Sequence, residues 1–307
     1  MRPTKSRLKW SPGFGMVPSD MQFARRLSTF REWPDASWVL RVRHRLVGFS
    51  RIGALTLGCL ILALLHSPAR LGATDTNEFL ARIHTNAAGR TLPYRLLLPK
   101  HYDPAQTYPV ILYLHGAAGR GDDNAKPLDW GPRLFLDPAV QDNYDFFLIV
   151  PQCPRGEGWT ESALAEPGGA KENEPLRLAL ELVADVLPKE FRLDPKRRYL
   201  TGVSMGGHAV WATLVRRPGF FAAAVPVCSG GDSNIVTKAA AKCPVWAFHS
   251  DDDHLVPVQL ARDLVQAWRK HGGVAKYTEY TGLKHSSWKK AYAEPELFEW
   301  LFRQRLP

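Results

Sequence analysis

Along the chain, short apolar runs alternate with amphipathic stretches from about residue 77 onward. "FLARIHTN" (79 to 86) and "TLPYRLLLP" (91 to 99), joined by "AAGR", read as an opening hairpin with Gly89 in its turn. "PVILYLH" (109 to 115), "DFFLIVP" (145 to 151), "RRYLTGV" (197 to 203), "AAAVPVC" (222 to 228), "PVWAFHS" (244 to 250) and "AKYTEY" (275 to 280) follow. Such continuous runs, rather than alternating ones, predict strands buried on both faces of a parallel sheet. Between them, Leu176, Leu180, Val183 and Leu187 recur at helical spacing, with Asn173 as N-cap and Pro175 in the first turn. A second helix is predicted from Gly206 to Arg216-Arg217-Pro218, where basic residues precede a breaker. A third follows Pro257, carrying Leu260, Leu264, Val265 and Trp268, and the last runs from about Glu294 to Arg305. This alternation predicts an α/β domain over residues 74–307 with a mostly parallel central sheet, helices on both faces and an N-terminal antiparallel hairpin.

Charge separates the first 73 residues from that domain. Of 40 Lys and Arg and 30 Asp and Glu, 12 and 3 fall in residues 1–73, leaving 28 and 27 for residues 74–307. The basic excess therefore belongs to a leader, and a near-neutral body argues against nucleic acid as a partner. Inside the leader, over about residues 47–73, Arg51 precedes an uncharged apolar run from Ile52 to Leu65 and then small residues around Ser67-Pro68-Ala69 and Ala73. The run is short of the ~20 residues of a bilayer span and matches a signal peptide, so an extracytoplasmic location is expected, with membrane attachment only through an uncleaved anchor. Cys153, Cys228 and Cys243 lie in the body; a Cys228–Cys243 bridge and free buried thiols are both open on sequence.

Candidate chemistry centres on "TGVSMGGHAV", where Gly202-Val203-Ser204-Met205-Gly206 fits a nucleophile elbow between a strand and a helix. Ser204 is the candidate nucleophile, and the amide of Met205, at a helix amino terminus, is a candidate oxyanion donor. The glycine-rich stretch after "LYLHG" offers a second donor from Ala117, with Ala118 as the alternative, while His115 at the strand end reads as structural. An orienting acid is expected in Asp251-Asp252-Asp253, after "PVWAFHS"; spacing alone leaves open which of the three points inward. His285, in the loop before the last helix, is the candidate base. His249 and His254 lack further ligands at metal-binding spacing, so no metal and no cofactor is expected. Trp130, Trp159 and Trp288 fall in loops and are candidate substrate-binding aromatics.

The order serine, aspartate, histidine is that of α/β-hydrolases. Residues 88 to 307 resemble that superfamily, in particular secreted esterases grouped with feruloyl esterases, polyhydroxybutyrate depolymerases and prolyl-oligopeptidase-like predicted peptidases. The resemblance lies in "LPYRLLLPKHYDPAQTYPVILYLHGAAGRGDDN", "VPQCPRGEGW", "TGVSMGGHAVW", "PVWAFHSDDDHLVPV" and "HSSWKKAY". It implies an α/β-hydrolase fold and a Ser204-His285-Asp253 triad, since Asp253 matches the aspartate of the family's His-Gly-x-x-Asp-x-x-Val-Pro motif, with Ser250 in place of the glycine. The expected function is hydrolysis of a small-molecule or polymer carboxylic ester through an acyl-enzyme. A serine peptidase, or an inactive binding protein on the same fold, is the alternative.

Overall fold

The computed structural model describes residues 78–161 and 171–307. The leader of residues 1–73, with its signal-peptide-like segment, lies outside the described residues. Eight strands form one sheet: β1 (Leu80–Thr85), β2 (Thr91–Leu97), β3 (Tyr108–Leu114), β4 (Phe147–Pro151), β5 (Leu193–Val203), β6 (Ala223–Val227), β7 (Val245–Ser250) and β8 (Ala275–Tyr280). Their spatial order is β1-β2-β4-β3-β5-β6-β7-β8. β1 pairs antiparallel with β2, and β2 with β4, whereas every pairing from β4 through β8 is parallel.

Every residue of β3, β4, β6 and β7 is buried, which is why these segments carry no polar alternation. Successive side chains of β3 serve two cores. Val110, Leu112 and Leu114 enter one with Leu178, Val210, Leu264 and Trp268, while Ile111 and Tyr113 enter the other with Phe135, Phe248, Leu297 and Phe298. Helices therefore cover both faces. They are α1 (Pro138–Gln141), α2 (Glu174–Glu181), α3 (Met205–Arg216), α4 (Val258–Lys270), α5 (Trp288–Tyr292) and α6 (Leu297–Arg303).

Two helices depart from the sequence pattern. The stretch expected to run through Leu187 is α-helical only to Glu181, then widens into a π-turn at Leu182–Val186 and tightens to a 3-10 turn at Leu187–Lys189. Pro188 explains the change, because it has no amide proton to give to a carbonyl one turn earlier. The last helix spans Leu297–Arg303, inside the expected 294 to 305, and the short α5 before it has no counterpart in the pattern reading. Cys153, Cys228 and Cys243 are buried and free, which excludes the Cys228–Cys243 bridge left open above.

Candidate active site

The turns after β5, β7 and β8 come together because these strands are parallel and lie within three places of one another in the sheet. Their carboxyl ends share one rim, and each contributes one side chain.

At the end of β5 the chain turns at once into α3. Ser204, the residue between them, has φ 54° and ψ −115°, a conformation that costs a non-glycine residue about 1–3 kcal/mol. Its amide donates to Val227 O at 3.0 Å, and its carbonyl accepts from His208 N at 2.9 Å, which fixes the turn at both peptide groups. Steric pressure dictates the flanking glycines: a Cβ on Gly202 would lie 2.6 Å from the Gly206 carbonyl, and one on Gly206 would lie 1.9 Å from Leu114 O. The Gly-x-Ser-x-Gly spacing follows from that close approach.

Ser204 Oγ lies 2.8 Å from His285 Nε2, and His285 Nδ1 lies 2.7 Å from Asp253 Oδ2. With a neutral ring, Nδ1–H donates to the carboxylate and leaves Nε2 to accept the serine proton. The second carboxylate oxygen, Asp253 Oδ1, accepts from the amides of Leu255 and Val256, each at 2.9 Å. Burial pushes the Asp253 carboxyl up, but donors from His249, His285 and the Val256 amide outweigh it and hold the group well below the usual carboxylate range. Asp253 therefore stays ionised beside the imidazole.

The aspartate left undecided by spacing is thus Asp253, which is 7% exposed. Its neighbours have another task. Asp252 Oδ1 accepts from Ser250 Oγ at 2.6 Å and from Lys284 N at 2.9 Å, and Asp251 Oδ2 accepts from Thr281 Oγ1 at 3.0 Å. Ser250 Oγ also accepts from Leu283 N at 3.1 Å. The serine that departs from the family glycine consequently ties the loop after β7 to the loop that carries His285.

His249 was read from sequence only as a weak metal candidate. It is fully buried, and its Nε2 lies 3.0 Å from Val256 O and 3.2 Å from Asp253 Oδ2. With acceptors only around it, Nε2 carries the proton and donates to Val256 O, with the Asp253 carboxylate alongside. His249 is a second imidazole holding the carboxylate of Asp253. Its position one turn of sequence before that aspartate was visible, but only the fold shows that the ring bends back toward it. Among the described residues no group of three or more His, Cys, Asp or Glu could hold a metal ion.

Both candidate oxyanion donors begin helical segments. Met205 opens α3, and Ala117 opens a 3-10 turn, Ala117–Gly119, whose N-cap is Gly116. First-turn amides have no carbonyl to reach within their own helix, so both remain available to a ligand. The two segments adjoin, since a Cβ on Gly116 would lie 3.5 Å from Ser204 Cβ. His115 braces the loop from beneath: its Nδ1 lies 2.6 Å from Gly116 O, and its Nε2 accepts from Cys153 N at 3.0 Å. Burial lowers its pKa to about 4, so the ring is neutral and structural, as the sequence reading expects.

The tryptophans separate. Trp159 is 0% exposed and donates from Nε1 to His115 O at 2.9 Å, so it does not line an open site; this corrects its assignment to substrate binding. A fully enclosed indole needs a partner for its N–H, and here that partner is the carbonyl that leads into the loop of the candidate oxyanion donor Ala117. Trp288, also buried at 8% exposure, packs against the half-buried Trp130 with ring centroids 5.6 Å apart. This pair stands beside the His285 loop.

The esterase family model matches residues 85–269, more than half of the 307-residue chain. The chain belongs to the esterase family. This esterase-family chain is 35% identical to a thermostable esterase of known crystal structure, with a TM-score of 0.69 over 75% of this chain and 64% of the other. A feruloyl esterase module from Clostridium thermocellum complexed with sinapinate is 14% identical, with a TM-score of 0.54 over 74% of this chain and 88% of the module. It shows the shared α/β-hydrolase fold. Among curated proteins, a bifunctional acetylxylan esterase/xylanase of Neocallimastix patriciarum is 24% identical over 165 residues, 54% of this chain and 22% of that protein. The chain thus spans less than two thirds of both the thermostable esterase and the bifunctional enzyme.

Proposed function

We propose that this protein is a serine carboxylesterase whose nucleophile is Ser204, base His285 and orienting acid Asp253. The observation that carries the reading is the unbroken hydrogen-bonded series from Ser204 Oγ through His285 to Asp253, at 2.8 and 2.7 Å.

Attack of Ser204 Oγ on the ester carbonyl forms the new C–O bond while its proton passes to His285 Nε2. The imidazolium that results is stabilised by the Asp253 carboxylate. Negative charge on the former carbonyl oxygen is met by the amides of Met205 and Ala117, each such donor contributing about 3 kcal/mol to barrier lowering. Collapse of the tetrahedral species breaks the bond to the alcohol, which leaves with the proton from His285. Water then enters, gives its proton to the same nitrogen, and releases the acid and free Ser204 in the reverse sense.

Trp130, with Trp288 behind it, supplies an aromatic wall for the acyl or sugar portion of the substrate. The relatives that act on feruloyl or acetylxylan esters support a carbohydrate-linked or aromatic ester. The basic, apolar leader supports export, so that the substrate is met outside the cytoplasm. Hydrolysis of short 4-nitrophenyl esters by purified protein tests this reading. Activity that falls at least a thousandfold in Ser204→Ala is expected; no hydrolysis by the parent protein, or full activity in the variant, contradicts it.

A further inference from the structure

Arg120 closes the 3-10 turn that Ala117 opens, its amide donating to Ala117 O at 3.3 Å. Its partly buried side chain crosses toward α3, where Nη2 lies 2.9 Å from Met205 Sδ. The buried Cys153 thiol feels the charge of the same guanidinium. Its Nε is buried and has no hydrogen-bond partner. A guanidinium has five donors and its strong partners are carboxylates and other oxyanions; a thioether and a neutral thiol are poor substitutes.

The surroundings make that choice of neighbours informative. Arg120 and Met205 line an open groove of about 540 Å³ that also presents Glu157, Glu161 and Glu174. Each of those acids is engaged elsewhere: Glu157 with Arg90 at 3.3 Å, Glu161 with Lys171 at 3.8 Å, and Glu174 with Arg177 and Asn86. Among the described residues, no carboxylate forms an ion pair with Arg120. The fold thus keeps a cation between the two segments that supply the candidate oxyanion donors, with a donor left over and a groove that the residue lines.

We propose that Arg120 is a specificity-determining residue that binds a carboxylate carried by the ester substrate, within a few bonds of the scissile carbonyl. This rests on the esterase reading above, since it places the carboxylate relative to Ser204 and Met205. A guanidinium in the lining of a groove suits the two oxygens of a carboxylate, and each charge-assisted contact discriminates against a neutral isostere. The substrates so selected are half-esters of dicarboxylic acids, or esters of hydroxy acids, in preference to uncharged esters of equal length.

Two matched pairs test the proposal at pH 8. The first compares 4-nitrophenyl hemiglutarate with methyl 4-nitrophenyl glutarate, which places the charge on the acyl side. The second compares 4-acetoxybutyrate with its methyl ester, which places the charge on the alcohol side, with acetate release followed for both. We expect a preference of about ten- to hundredfold in kcat/KM for the charged member of one pair. Arg120→Gln removes that preference, and Arg120→Lys retains part of it. The readout is the ratio within a pair, so a variant that merely folds less well lowers both members and leaves the ratio intact. A ratio near one in both pairs for the parent protein, or an unchanged ratio in Arg120→Gln, overturns the proposal. Absence of hydrolysis of all four esters would instead contradict the esterase reading itself.

Discussion

Gly206 passes so close to Leu114 that a Cβ on the glycine would stand 1.9 Å from the leucine's carbonyl oxygen. The obstacle is the backbone of a central strand, buried on both sides, so neither partner can step aside. Opening the contact would shift Ser204, which lies between Gly202 and Gly206, away from His285. Gly206→Ala is therefore expected to lose most of its esterase activity and to be destabilised by about 1–3 kcal/mol or more. Thermal denaturation followed by circular dichroism, alongside kcat/KM, checks both effects; an alanine variant with parental values for each contradicts the steric account.

His249 and His285 share one carboxylate, at 3.2 and 2.7 Å from Asp253 Oδ2. Removing the first leaves Asp253 freer to rotate and its charge less well held, without touching the groove. His249→Phe is predicted to lower kcat by about tenfold while KM stays within twofold, the pattern of a positioning residue. His249→Gln, which keeps a donor, should recover part of the loss. A fall in both variants confined to KM would refute the positioning role.

His115 makes stability pH-dependent. Its folded pKa is about 4, below its ordinary value of 6.5, so between these limits the unfolded chain binds a proton that the folded protein does not. Stability is full above about pH 6.5 and falls as pH drops toward 4, by roughly 3 kcal/mol from this residue. Buried His208, also shifted down, first by burial, adds in the same sense. Asp253, held low, contributes stability above its ordinary carboxylate range that is lost only in stronger acid. Melting temperatures from pH 8 to pH 4 should decline, and His115→Gln should flatten the slope between 6.5 and 4. An unchanged slope in the variant rules His115 out as its source.

Cys228 sits at φ 40° directly behind the Ser204 turn, and burial pushes the thiols of Cys153, Cys228 and Cys243 up to about 12. Thiols so held are poor nucleophiles. All three are expected to resist a disulfide reagent in the native protein and to react on unfolding, with dithiothreitol leaving the melting temperature unchanged. A melting temperature that drops under reduction would reveal a bridge.

Much of this arrangement was legible in the sequence, for identifiable reasons. Strands buried on both faces leave unbroken apolar runs, and the elbow's steric demands leave glycines at fixed spacing around Ser204. What spacing could not decide was direction. Asp251, Asp252 and Asp253 are chemically alike, and only the bend of their loop turns one inward. Trp159 looked like an exposed loop aromatic because the chain around it is irregular, yet that irregular chain folds under the loop after His115 and encloses the indole. His249 and Arg120 escaped because each acts through a contact distant in chain or in kind: a ring turned back onto Asp253, and a guanidinium reaching a methionine 85 positions away. The π-turn at Leu182–Val186 was hidden because Pro188 acts on the turn preceding it.

The central claim is that Ser204 Oγ, activated by His285, is the attacking atom. Reaction of the purified protein with a fluorophosphonate, followed by digestion and mass spectrometry, locates that atom directly. A single adduct on Ser204 is expected, with His285→Gln slowing its formation by about a hundredfold or more. An adduct on another residue, or one that forms on Ser204 at the same rate without the imidazole, would contradict the account.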